Sequence, residues 1–200
     1  MSTKPTSVAV LGTLADFHRE PIAYNLSALV RLVEDLQPDL LCLDMTSDEW
    51  ARRDFAGLPL EYREALVPLA AQTDIVVVPV ADERPIAEPE LQGVRAAIGG
   101  KLRQTLAYLQ RSAPSPAAIN QGLRHHVANH LYEVLAGLHG RHLRTSAKAH
   151  AHRLAGNVVQ AVRRDPGRRV LVVVNVRFCH YLRQTLRSYA DLDVVRYSEL

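Results

Sequence analysis

The sequence predicts an α/β fold: a mainly parallel β-sheet with flanking helices and a helical insertion between strands three and four. Three observations carry this. "DIVVVPV" and "VLVVVNV" are continuous β-branched runs, not alternating ones, and strands buried on both faces read that way. Amphipathic helical stretches lie between the apolar runs, which is the strand–helix–strand signature of parallel pairing. A long middle stretch, about residues 88–164, holds helical patterns and no strand.

Taken in order, the first strand is Ser7–Leu11, which runs into Gly12 and a polar turn. "YNLSALVRLVEDL" follows, with Leu26, Leu29, Val30, Val33 and Leu36 at helical spacing and Asn25 placed as the cap. Pro38 ends that helix and Leu40–Asp44 is the second strand. "EYREALVPLAAQ" is the next crossover helix and leads to the third strand, Asp74–Pro79. The insertion reads as Glu90–Arg111, Ala117–Leu138 and Arg141–Arg164, broken at "SAPSP" and near "GLHG". Val170–Asn175 is the fourth strand, "CHYLRQTLRSYA" the third crossover helix, and Asp193–Tyr197 the fifth strand. The whole, 1–200, is one α/β domain with a helical subdomain at about 88–164, which offers either a lid or a homodimer surface.

Composition narrows the function classes. Apolar residues make up 48% and charged residues 22%, ordinary for a globular domain of this length. The net charge of +3 comes from 24 basic and 21 acidic groups spread along the chain, so nucleic acid is not expected as a partner. "RRDPGRR", Arg163 to Arg169, reads as a solvated turn. No apolar run is long enough for a membrane span. The start "MSTKPTS" has no signal-peptide core, and Cys42 and Cys179 form no CxxC pair, so the expected location is cytoplasmic.

In open parallel sheets, ligands bind outside the carboxyl ends of the strands. Every proposed strand end here is rich in chemistry. Asp16, His18, Arg19 and Glu20 follow strand one. Asp44, Asp48 and Glu49 follow strand two; Asp82, Glu83 and Arg84 follow strand three. Asn175, Arg177, Cys179, His180 and Tyr181 follow strand four. Asp16 and Asp48 are equally readable as caps. Imidazole with carboxylate suits zinc, manganese or iron, and it equally suits general acid–base work beside an anion-holding arginine. The remaining histidines lie between Arg124 and Arg153. His126 and His130 share a helix face and give a weaker metal or haem alternative; mainly they read as surface residues. No HExxH, GxGxxG, GxxxxGK[ST] or GxSxG occurs, so zincin, nucleotide-cofactor and serine-hydrolase readings lack support. Cys179 beside His180 is a weak thiol-nucleophile candidate.

The series of motifs resembles the TraB/PrgY, TIKI, erythromycin-esterase and ChaN-like superfamily. "VAVLGTLADFH" stands for its GT-x-H strand end, "LQPDLLCLDM" for the strand ending in an acid, and "ADERPI" for a DRP-like stretch. "HRLAGNVVQAV" stands for the arginine helix with Arg153, and "RRVLVVVNVRFCHYL" for the final strand ending near a histidine. Ala15 stands where the first motif has histidine, so His18 comes three residues late; His180 comes two residues late. The resemblance implies a metal-dependent hydrolase-like scaffold, with haem-iron binding in some members. On that reading His18, Asp44 and His180 ligate a divalent transition metal (zinc, manganese or iron) or move protons. Arg153 holds a substrate carboxylate or oxyanion, Glu83 or Glu20 acts as base, and the ligand is a small molecule or peptide. The alternative is a non-catalytic small-ligand, haem or regulatory binding protein on the same scaffold, using Arg84, Arg153 and Arg177.

Overall fold

The computed structural model describes residues 5–85 and 88–200. Ile86 of "ADERPI" and the first four residues lie outside the described residues. Five parallel strands form one sheet in the order β3-β2-β4-β1-β5. They are β1 (Thr6–Thr13), β2 (Leu40–Thr46), β3 (Val76–Ala81), β4 (Val170–Asn175) and β5 (Leu192–Val195). The α/β class expected from the sequence is therefore the one observed. Successive residues of each strand point to opposite faces, and both faces are covered. Ala9, Leu11, Leu41, Leu43, Leu171 and Val173 pack on one side; Val8, Val10, Leu40, Cys42, Val170, Val172 and Val174 pack on the other.

The first face is covered by helix α1 (Leu26–Leu36) and by a turn of π-helix, Tyr62–Leu66, running into the short α3 (Val67–Ala70). Asn25 caps α1 by accepting from the Ala28 amide at 3.0 Å. The π-turn precedes Pro68, which has no N–H to continue regular α bonding. A short helix, α2 (Ser47–Arg52), follows β2 where the sequence suggested only a polar loop. Its cap is Thr46, not Asp48, in a reciprocal box with Glu49.

The insertion comprises α4 (Gly93–Arg111), α5 (Pro116–Asn120), α6 (Gly122–Leu138) and α7 (Arg141–Arg164). The expected helix over 117–138 is split at Gln121, where Gly122 has a φ of 73° that suits glycine. Helices α4 and α6 share a small core of Leu106, Ala128 and Leu135. Helix α7 and helix α8 (Val176–Leu186) cover the second face of the sheet. From β1 to β3 the chain steps one way across the sheet; from β3 to β5 it steps back. Right-handed crossovers in opposite directions put their helices on opposite faces, as seen. The chain thus leaves β1 and β2 towards one face and leaves β4, between them, towards the other. That arrangement opens crevices at the carboxyl end of β4.

Strand β5 pairs with β1 only from Thr6 to Ala9. Past that point the edge of β1 is completed by side chains. Asn120 Oδ1 accepts from the Gly12 amide at 2.6 Å, and its Nδ2 donates to the Gly12 carbonyl at 3.2 Å. Arg183 donates to the Val10 carbonyl at 2.8 Å and to the Asn120 carbonyl at 3.0 Å. These bonds latch the insertion to the sheet. Gly12 permits the close approach: a Cβ there would lie 2.8 Å from Cys179 Sγ and 3.0 Å from the Val176 Cα.

Candidate functional site

Asp44 lies two residues before the end of β2 and is almost fully buried. Its partner comes from the insertion: His150 Nε2 lies 3.0 Å from Asp44 Oδ2. Periodicity explains the placement. His150 is one and two turns before Leu154 and Val158, on the stripe of α7 that packs on the sheet. The ring also packs at 5.1 Å against Phe178 at the start of α8. The Asp44 backbone N–H donates to Tyr62 Oη at 3.3 Å, and the Tyr62 hydroxyl donates to the Val173 carbonyl at 2.6 Å. Among the described residues no donor reaches Asp44 Oδ1. The carboxylate is thus buried with one oxygen bound to imidazole and the other left over, while Tyr62 fixes the backbone beneath it.

His150 forms part of the wall of a narrow pocket of about 60 Å³ between α6, α7 and α8. Tyr132, Glu133, Arg177, Phe178 and Tyr181 share that wall. Burial pushes the Tyr132 hydroxyl up to about 12, against the lowering effects of the Gln110 hydrogen bond and the Arg177 charge. Tyr181 donates to Glu133, whose other partner is Arg144 at 2.8 Å. Two buried polar atoms of the wall, Arg177 Nε and Asn129 Oδ1, have no hydrogen-bond partner among the described residues. A leftover donor and acceptor in one wall ask for a ligand or ordered water.

The other residues expected at the site are arranged differently. His18 is 2% exposed. Its Nε2 accepts from the Leu14 amide at 3.0 Å, and its Nδ1–H donates to the Tyr24 carbonyl at 2.8 Å. Burial pushes its pKa down to about 4, against a smaller opposing effect of the Tyr24 hydrogen bond. With both nitrogens held by backbone, His18 is the staple of its own loop. His180 is exposed on α8, beside the Tyr181 ring at 5.8 Å. The structure therefore does not gather His18, Asp44 and His180 around one point. Among the described residues no group of three His, Cys, Asp or Glu side chains is placed to hold a metal ion. His126 and His130 are both exposed on α6.

Glu83 and Arg153 do meet, at 2.5 Å, in a pair that is largely open to solvent. Arg84 binds Glu49 at 2.6 Å and Arg177 binds Glu88 at 2.9 Å, so each arginine suggested as an anion holder already has a carboxylate. Glu20 is taken by Arg111 at 2.6 and 2.7 Å, and that hydrogen-bonded pairing lowers the Glu20 pKa. Cys179 is fully buried, and burial lifts its thiol to about 11, the wrong direction for a nucleophile.

His150 and Glu61 are two of the buried polar residues that sequence reasoning missed. The helical spacing of His150 with Leu154 and Val158 was the available signal. Glu61, 1% exposed, lies against Thr13 and Ala15, and burial raises its pKa; nothing in its neighbourhood of the sequence marks it as buried. Compared with known proteins, the chain matches no protein family's model, no curated protein and no solved structure.

Proposed function

We propose that the protein is a hydrolase of the TraB/erythromycin-esterase-like kind that works by general acid–base chemistry, with Asp44 and His150 as its proton-handling pair. The observation that carries this reading is the buried 3.0 Å contact between them, at the wall of a pocket at the carboxyl end of the sheet. Asp44 accepts from His150 Nε2–H and so sets the tautomer; Nδ1 then carries the lone pair that takes a proton from water. The Asp44 carboxylate stabilises the imidazolium that results. Arg177, in the same wall, is paired with Glu88 through Nη1 but keeps its Nε–H without a partner among the described residues, and that N–H is the donor for an oxyanion developing on the substrate. A metal bound through His18, Asp44 and His180 does not fit these positions, since both His18 nitrogens are held by backbone.

The test is hydrolysis of a panel of small aryl esters and anilides by the protein, His150→Gln and Asp44→Asn. The expected result is activity that falls about 100-fold in both variants, with folding retained by circular dichroism. Activity unchanged in both would overturn the reading. The alternative, a small-ligand or regulatory binding protein, is supported by His18: the histidine of the first motif is replaced by Ala15, and its nearest substitute is consumed by backbone. Ligand-induced thermal shifts without turnover across the panel would favour it.

A further inference from the structure

The short β5 leaves space along the sheet edge, and that space is a groove of about 850 Å³. Its floor is the latch of Asn120 and Arg183 on β1, and Val194 and Val195 at the end of β5 form one bank. Its walls are strongly basic. Arg183, Arg187 and Arg196 line it together with His126 and His180, against a single acid, Glu199. Glu199 is only loosely set against the Arg196 guanidinium, at 3.9 Å. Arg187 and Arg196 are exposed, whereas Arg183 is fixed by two backbone carbonyls and by His125.

The amino end of α6 opens into the same groove at Gln121 and Gly122. Its first turn holds no acidic residue, and Gln121 supplies no side-chain cap. The leading amides of a helix have no partner within it and carry the positive end of its dipole. Gly122 leaves the approach bare, since no atom lies within 4 Å of where its Cβ would stand. Among the described residues, Glu199 is the one acid lining the groove, and it is set against Arg196.

We infer that this groove binds a small multiply charged anion of the phosphate-ester or diphosphate class, held between Arg187, Arg196 and the first amides of α6 over the fixed charge of Arg183. Arginine forks match phosphate oxygens in pairs, and a helix amino end is a natural seat for one of them. A small ligand is favoured over a polyanion because the charge is local. The other arginine-rich stretch, Arg163–Arg169, lies before β4 at the opposite end of the sheet and is drawn off by Asp191 and Asp39. The groove is distinct from the Asp44–His150 pocket; Asn129 and His180 line both.

The experiment is isothermal titration of the full chain with inorganic pyrophosphate at 150 mM salt. It is run on the native protein, on R187Q/R196Q, and on R31Q/R52Q as a charge-matched control on exposed sites elsewhere. The expected result is saturable 1:1 binding, weakened roughly tenfold or more by R187Q/R196Q and unchanged by the control. In amide spectra, Gly122 and Leu123 shift on titration. Equal weakening in both double variants would show only a long-range field and overturn the site. So would absent pyrophosphate binding, whether or not the protein instead binds anionic vesicles or an oligonucleotide.

Discussion

Acid destabilises this protein through His18, by an amount the geometry sets. The buried ring is held neutral, with a pKa pushed down to about 4 from 6.5. The unfolded chain takes up the proton near pH 6.5 and the folded one does not. The stabilisation is therefore complete above pH 6.5 and is lost progressively as pH falls towards 4. Over the full window, 2.5 units correspond to about 3 kcal/mol, and between pH 7 and pH 5 the loss from this one residue is about 2 kcal/mol. For a chain of this length that is a fall of about 4–8 °C in Tm. The assay is urea unfolding of the native protein and of His18→Gln at pH 7, 6 and 5. His18→Gln should be less stable at pH 7, because the Leu14 and Tyr24 backbone groups lose their partner, yet its stability should fall less steeply by about 2 kcal/mol over that range. Parallel pH curves for the two proteins, or an imidazole that titrates near 6.5 by NMR, would refute the reasoning. Either result would return His18 to the list of residues free for metal or proton chemistry.

Three further outcomes are expected. Gly12→Ala drives a methyl group into Cys179 and the backbone of Val176, and should cost about 1–3 kcal/mol in urea unfolding even though alanine suits a strand better than glycine. Tyr62→Phe removes the hydroxyl shared by the Val173 carbonyl and the Asp44 amide; the loss should be about 1–3 kcal/mol, read in the same assay. Arg153→Gln and Glu83→Gln break an exposed pair and should change stability in urea unfolding by no more than about 0.5 kcal/mol each, and a large loss of hydrolysis in either would place that pair at the site after all.

The sheet was legible because buried parallel strands announce themselves: β4 runs from Val170 to Asn175, as the apolar run does, and α7 from Arg141 to Arg164. Strand ends were harder. β1 continues through Gly12 and Thr13, because Val174 and Asn175 of β4 offer them partners that the local sequence does not reveal. At the site, Asp44 stood out as a carboxylate with no capping role, but its partner lies 106 positions away in the insertion. His18 misled for the opposite reason. A polar turn after a strand looks like a place for chemistry, yet the tight turn from Leu14 to Tyr24 leaves backbone groups that need a partner, and the imidazole supplies it. Only phase along α7 separates His150 from its exposed neighbour His152.

The strand order also governs how the chain reaches its native state. Only β2 and β3 are neighbours both along the chain and in the sheet. β1 lies beside β4 and β5, so Val8 waits for Val170 and Thr6 for Leu192. During synthesis from the amino end, the buried central strand β1 is exposed with both edges bare until nearly the whole chain is available. Closure of such distant pairs is slow. Loss of the segment after α7 would thus do more than remove two strands: it would leave β1 a sticky, unpaired ribbon, and chains cut there should accumulate as aggregates.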